Sequence, residues 1–277
     1  MKEMTSESVK ERAKELGADL VGVASIERFD GLPENAHPRS IFPEARSVVV
    51  VGRAILRGSL RGIEEGTNWG IYRDFGLTTL EEYFIPHVTY HLTRFIEDHG
   101  YEAVPIFPYP SEFASEGAPV GEGKPAPDVI VDVDYAAAAA GLGEIGLMGV
   151  FLTPRFGPLQ RFNMIITDAP LQPDPLLKEP ICDRCLKCLE ACPYKAMDVY
   201  GMTRIEIEGK TMEVARIDWD KCRRCEFGAI RNRYDPERGR PDRIAAPCVR
   251  ACLVHLEETG RMGQRYRHPF RERRGEG

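Results

Sequence analysis

The sequence predicts an α/β fold over residues 1–175, followed by a smaller α+β module over residues 176–260. Three observations carry this. Ser47-Val48-Val49-Val50-Val51-Gly52 is an unbroken β-branched run, which suits a strand buried on both faces and hence a sheet sandwiched between helices. Strand-like and helix-like segments alternate along the first 175 residues, as α/β folds do. After Pro173-Asp174-Pro175 the composition changes abruptly to cysteine, basic residues and short elements, which marks a domain boundary.

In chain order, Glu7 to Leu16 reads as a helix ended by Gly17, and Asp19 to Ala24 as a short strand. Pro33, Pro38 and Pro43 punctuate a loop before the Val48 strand. Val88, Leu92, Phe95 and Ile96 give helical spacing between Thr78 and Gly100, with Pro86 opening or kinking the helix. Tyr101 to Ile106 follows as a strand, Pro108 to Pro127 as a surface loop, Val129 to Val133 as a strand, and Ala136 to Ala140 as a helical run. Phe162 to Ile166 is a further strand. Arg204 to Glu208 and Met212 to Ile217 make a small hairpin around Gly209, and Cys248 to Glu258 a final helix. Residues 261–277 form a basic tail.

The chain has 277 residues, 43% hydrophobic, enough for a substantial core. Its 43 acidic residues outweigh 37 basic ones for a net charge of -6, so a whole-molecule basic field for nucleic acid is absent. No apolar run approaches the roughly 20 residues that span a bilayer. The opening Met1 to Ser6 lacks the apolar stretch of a signal peptide and a twin-arginine pair, so the expectation is a cytoplasmic protein with no membrane partner.

All eight cysteines lie between Cys182 and Cys252. Cys182-x2-Cys185-x2-Cys188-x3-Cys192-Pro193 is the bacterial ferredoxin motif: a tight loop puts three thiolates on one iron–sulfur cubane, and the fourth points to a second cluster. Cys222-x2-Cys225 and Cys248-x3-Cys252 read as a second such motif with an insertion, degenerate in having Leu253 where proline is usual. Exchange of fourth ligands gives two [4Fe-4S] clusters, one on Cys182, Cys185, Cys188 and Cys252, the other on Cys192, Cys222, Cys225 and Cys248. Zinc is the alternative occupant, although zinc motifs pair C-x2-C units and need neither the third cysteine nor the C-P.

Gly141-Leu142-Gly143-Glu144-Ile145-Gly146 has the G-x-G-x-x-G form of a dinucleotide loop. Five alanines precede it instead of a strand, so the glycines end a helix and NAD is not expected. This run, together with Leu152-Thr153-Pro154-Arg155-Phe156-Gly157-Pro158, Arg161-Phe162, Thr167-Asp168-Ala169-Pro170-Leu171 and the first cysteine motif, resembles the superfamily of epoxyqueuosine reductases and reductive dehalogenases. Leu16 to Asp19 and His37 to Val48 resemble it too. The resemblance implies a nitroreductase-like N-terminal domain carrying cobalamin, a corrinoid reduced by the two clusters of a ferredoxin-like module. Gly141, Gly143, Gly146 and Gly149 are candidates to let backbone approach the macrocycle.

A nearby acid, Asp or Tyr, supplies a proton in that superfamily. The matching stretch is Asp128 to Tyr135. Asp134 and Tyr135 are preferred as proton donors because they are expected at a strand's C-terminal end, where open α/β sheets place ligands; Asp128 and Asp132 remain alternatives, and a strand-end Asp also serves as a helix N-cap.

The expected function is thus an iron–sulfur, cobalamin-dependent reductase acting on a small-molecule substrate by dehalogenation or epoxide-type deoxygenation, with an external ferredoxin- or flavodoxin-type electron donor. The alternatives are a non-catalytic ferredoxin-like electron carrier and an epoxyqueuosine reductase acting on tRNA. Nucleic acid is not an expected partner, since the arginines at 261, 265, 267, 271, 273 and 274 are the only dense basic patch.

Overall fold

The structure, a computed structural model, describes residues 4–107 and 117–268. The first part of the expected loop at 108–116 and the arginines at 271, 273 and 274 lie outside the described residues.

Thr5 starts helix α1 (Ser6–Glu15) with a capping box: its hydroxyl accepts from the Ser8 amide while the Ser8 hydroxyl oxygen accepts from the Thr5 amide. Strand β1 (Leu20–Ser25) follows, then the single turn α2 (Pro38–Ile41), strand β2 (Ser47–Ala54) and the turn α3 (Arg61–Glu64). A wide-coiled π-helical stretch, Tyr72–Thr78 and Leu80–Phe84, runs into α4 (Ile85–Glu97), which has Pro86 in its first turn, where the missing amide costs nothing. Next come β3 (Ala103–Ile106), α5 (Val133–Ala139), the two-residue strands β4 (Glu144–Ile145) and β5 (Phe151–Leu152), and β6 (Gln160–Thr167).

The main sheet has the order β1-β2-β6-β3 and is antiparallel at every pairing, with Val49 opposite Val23 and Ile165. Alternate residues of the buried β2 serve two cores. Val49 and Val51 pack with Val9, Leu92 and Ile96 of α1 and α4; Val48 and Val50 pack with Ala136 to Ala139 of α5. Helices therefore cover both faces, as the apolar run implies. One expectation is corrected. Val129 to Val133 is not a strand, because the Asp132 side chain accepts from the Tyr135 amide and so starts α5.

The remaining elements are α6 (Lys187–Glu190), the hairpin β7 (Met197–Ile207) and β8 (Lys210–Ile217), α7 (Trp219–Arg223) and α8 (Pro247–Glu258). The hairpin is longer than the sequence reading, with an irregularity between Asp198 and Thr203. One hydrophobic cluster joins Val9 and Leu92 to Cys188, Ile244, Cys248 and Leu256, so packing is continuous across residue 175. Beyond α8, Met262 is buried and the Gly263 amide donates to Pro154 O at 2.8 Å, which docks the start of the basic segment on the body. No helix among the described residues is long and apolar enough to cross a membrane.

Candidate active site

Local backbone geometry builds the first cysteine loop. Arg184 and Leu186 have φ of 59° and 65°, a left-handed conformation that L-residues adopt only when the surroundings hold it. Glu144 anchors the start of this loop: its buried carboxylate accepts from the amides of Ile181 (2.8 Å) and Cys182 (2.7 Å). The glycine-rich run thus contributes a side chain to the cysteine loop. Cys182, Cys185, Cys188 and Cys252 line one small cavity, walled by Leu147, Met148, Leu152 and Leu256. His255 closes its rim and meets Asp183 at 2.7 Å; Asp183, Cys185 and His255 also lie close enough together to hold a metal ion.

The other cysteines form a second neighbourhood. Cys192 and Cys222 share a buried cluster with Ala196, and charge on Cys248, Cys192 or Cys225 is felt at the Cys222 sulfur. Cys188 senses Cys248 as well as Cys182 and Cys185, so the two neighbourhoods adjoin. Burial pushes the thiols up, to about 12 for Cys188 and about 11 for Cys222, and mutual repulsion adds to this. Each site offers four soft sulfur donors whose ionisation needs a bound cation, which fits the donor chemistry of iron–sulfur clusters.

A separate cavity of about 400 Å³, open to solvent on one side, lies between the N-terminus of α5, the π-helical stretch and residues 230–244. That volume is ordinary for a small-molecule site. Its walls combine Phe107, Phe151, Phe162 and Trp219 with Asp132, Asp134 and several arginines. Asp134, in the first turn of α5, is pushed up to about 7, first by loss of water and then by the charge on Asp132; Arg161, Arg240 and Arg243 pull the other way. Across the cavity, Arg161 is tied to Asp242, donates to the Tyr72 hydroxyl at 2.8 Å and faces Glu81 at 3.5 Å. Tyr72 in turn donates to Asp242 at 2.7 Å. These groups satisfy one another, whereas the Asp134 side chain makes no hydrogen bond or ion pair among the described residues.

Asp134 and Asp132 line this cavity, while Asp128 is exposed elsewhere. The preference for Asp134 and Tyr135 as strand-end residues is corrected, since both lie within a helix. Tyr135 does not line the cavity; it is buried beside Phe29, and its hydroxyl donates to Arg28 O at 2.8 Å. Tyr135→Phe is therefore expected to cost about 0.5–1.5 kcal/mol of stability and to leave turnover unchanged, as denaturant melts and steady-state rates would measure.

Of the four glycines, only Gly149 lines the large cavity. At Gly141 and Gly143 an added Cβ would overlap the carbonyl oxygens of Pro175 and Leu152, and at Gly146 it would press on the Leu152 side chain at 2.9 Å. These three are required by protein packing. Gly143→Ala is expected to destabilise the fold by about 1–3 kcal/mol, read as a lowered melting temperature.

Sequence reading missed the Tyr72, Glu81 and Asp242 partners of Arg161, and also Trp219 and Arg243. The one available signal was a charged residue, Arg161, second in a strand that goes on to bury Phe162 and Met164 to Ile166.

No family model matches the chain. A tetrachloroethene reductive dehalogenase of Sulfurospirillum multivorans is 41% identical over 64 residues, 22% of this chain and 13% of that protein. The epoxyqueuosine reductase of Bacillus subtilis is 24% identical over 226 residues, 69% of this chain and 51% of that protein. Among solved structures, the catabolic reductive dehalogenase NpRdhA superposes with a TM-score of 0.58 at 20% identity, covering 92% of this chain and 32% of that one. Another reductive dehalogenase structure, described as suggesting a mechanism for B12-dependent dehalogenation, gives a TM-score of 0.53 at 20% identity over 78% of this chain and 28% of that one. This chain accordingly spans about a third of the dehalogenase structures and about half of the epoxyqueuosine reductase. Its relatives and structural neighbours include both reductive dehalogenases and epoxyqueuosine reductases, a similarity to the superfamily and not to one member.

Proposed function

We propose that this chain is an iron–sulfur reductase that delivers electrons from two cysteine-held clusters to a small organic molecule in the large cavity, with Asp134 as proton donor. The observation that carries this reading is the placement of Asp134, a carboxyl poised near neutrality, in a cavity also lined by Trp219, at the start of the cysteine-bearing helix α7. Cys182, Cys185, Cys188 and Cys252 would hold one [4Fe-4S] cluster, and Cys192, Cys222, Cys225 and Cys248 the other, in a ferredoxin-like module attached to a nitroreductase-like domain. Bound there, the clusters supply electrons one at a time. Replacing a carbon–halogen bond by carbon–hydrogen takes two electrons and one proton and releases halide; opening an epoxide to an alkene takes two electrons and two protons and releases water. The electrons come from an external ferredoxin- or flavodoxin-type donor; the single proton of dehalogenation, or the first of the two in epoxide opening, leaves the Asp134 carboxyl, and solvent water at the open side of the cavity supplies the second and reprotonates the carboxylate. The free thiols suit the reducing cytoplasm.

Anaerobic purification with iron and sulfide analysis, plus EPR after dithionite reduction, tests the cluster assignment. About eight iron and eight sulfide per chain are expected for two cubanes. Zinc without sulfide removes the reading. Reduction of a panel of haloaromatic and epoxide compounds by the dithionite-reduced protein then tests the activity.

Cobalamin enters from the relatives. The glycines do not fit a macrocycle, because three of the four face protein backbone or side chains, and no step above depends on a corrinoid. Anaerobic titration with cobalamin tests its part: a changed corrin spectrum and co-elution support a role, and a protein coloured by its clusters alone removes it.

A further inference from the structure

Arg243 lies between the large cavity and the second cysteine set. It is only 6% exposed. Its Nη2 donates to Met148 O at 2.8 Å and Gly149 O at 3.1 Å, and its guanidinium stacks 5.0 Å from the centre of the Trp219 ring. Its Nη1 is buried and has no hydrogen-bond partner. No carboxylate among the described residues forms an ion pair with it. A buried, unpaired guanidinium is costly unless negative charge faces it. Two carbonyl oxygens carry dipoles only, and Asp134, the carboxyl in the same cavity that feels its charge, makes no ion pair with it and is itself pushed up to about 7, so no fixed full countercharge touches the guanidinium.

We infer that Arg243 is the cation that balances the cluster held by Cys192, Cys222, Cys225 and Cys248, and that it makes this cluster easier to reduce than the one held by Cys182, Cys185, Cys188 and Cys252. The inference rests on the iron–sulfur reading. The Trp219 ring it stacks on packs against the buried cluster of Cys192 and Cys222, and the Arg243 carbonyl accepts from the Ala246 amide at 2.8 Å, two residues before Cys248, so Arg243 borders this cysteine set on both sides. Reduction adds negative charge to a cluster, and a fixed cation nearby favours the reduced form. The first set has no equivalent among the described residues. Leu147, Met148, Leu152 and Leu256 wall it, and the arginines at its edge are engaged, Arg184 with Glu213 and Arg261 with Asp183, which also meets the His255 ring. The asymmetry draws an electron from the first cluster to the second, toward the cavity wall of Trp219 and Arg243. Arg243 is thus a positioning residue, acting through the cluster and not on the substrate.

EPR-monitored potentiometric titration of the full-length, cluster-loaded protein tests this. Two distinct midpoint potentials are expected in the wild type. Arg243→Gln is expected to shift the higher one negative and leave the lower one in place; Arg243→Lys, which keeps the charge, is expected to restore most of the shift. Equal shifts of both potentials in R243Q, or none with both clusters retained, overturn the inference. Should R243Q lose a cluster, R243K decides: retention near the wild-type potential supports the charge role, and loss or a full negative shift in R243K overturns it. A wild-type protein without clusters would instead defeat the underlying iron–sulfur reading, a result separable from all of these by iron analysis.

Discussion

Asp134→Asn is expected to lower turnover by about 10²–10⁴-fold, the usual worth of a positioned general acid, while iron content stays at its wild-type level. The asparagine keeps the shape of the side chain and removes only the transferable proton. The pH profile gives the sign. A donor must be protonated, and Asp134 titrates at about 7, so the wild-type rate is expected to hold on the acid side and fall as pH rises through that value. D134N should show no such fall. The same raised value fixes a stability effect that runs in the same direction with pH. A carboxyl whose folded-state pKa lies above its unfolded value contributes stability at low pH that is lost as pH rises through the folded value. Above pH 7 the ionised carboxylate sits in a poorly hydrated site beside Asp132, and D134N is expected to melt higher than wild type there. Difference infrared spectroscopy supplies a check that needs no substrate: a protonated-carboxyl band that disappears near pH 7 in the wild type and is absent from D134N. A pH-independent wild-type rate together with full activity in D134N would exclude Asp134 as the acid.

What the sequence disclosed, and what it hid, follows from how locally each feature is encoded. The β2 strand announces itself because Val48 to Val51 bury both faces, and α1 because Thr5, Val9 and Ala13 carry a cap and a buried stripe within one short segment. The first cysteine motif is likewise compact in sequence. Strand direction is encoded nowhere locally: β2 pairs with β6 more than a hundred residues away, and the apolar run is the same whichever way its neighbour points. The misreading of Val129 to Val133 has a definite cause. β-branched residues outvoted Asp132, whose carboxylate decides the matter by taking the Tyr135 amide. The glycine run was legible as a turn, but its packing partners, Pro175 and Leu152, and the reach of Glu144 to the Cys182 amide are tertiary facts. The cavity is the extreme case. Glu81, Asp134, Arg161, Trp219 and Asp242 come from five separate segments, so no periodicity or spacing joins them.

The division of the cysteines gives the other large expected effect. If Cys252 completes the set of Cys182, Cys185 and Cys188, then Cys252→Ala and Cys185→Ala each remove the same cluster, and each lowers iron from about eight to about four per chain. Losses of groups that act as one unit do not add. The double variant C185A/C252A is therefore expected to keep about four iron, while C185A/C192A, which strikes both sets, keeps essentially none. Pairing strictly along the sequence, with Cys192 closing the first motif and Cys252 the second, predicts the reverse for the two doubles. The geometry favours the crossed arrangement, because Cys252 lines the small cavity of Cys182, Cys185 and Cys188, and Cys192 packs against Cys222. Both losses should also lower the melting temperature, since Cys188 and Cys248 lie in the core cluster that joins α1 and α4 to α8, and cluster binding free energy is then folding free energy. Iron retention of about four in C185A/C192A, with none in C185A/C252A, would reassign the fourth ligands and with them the cluster that Arg243 faces.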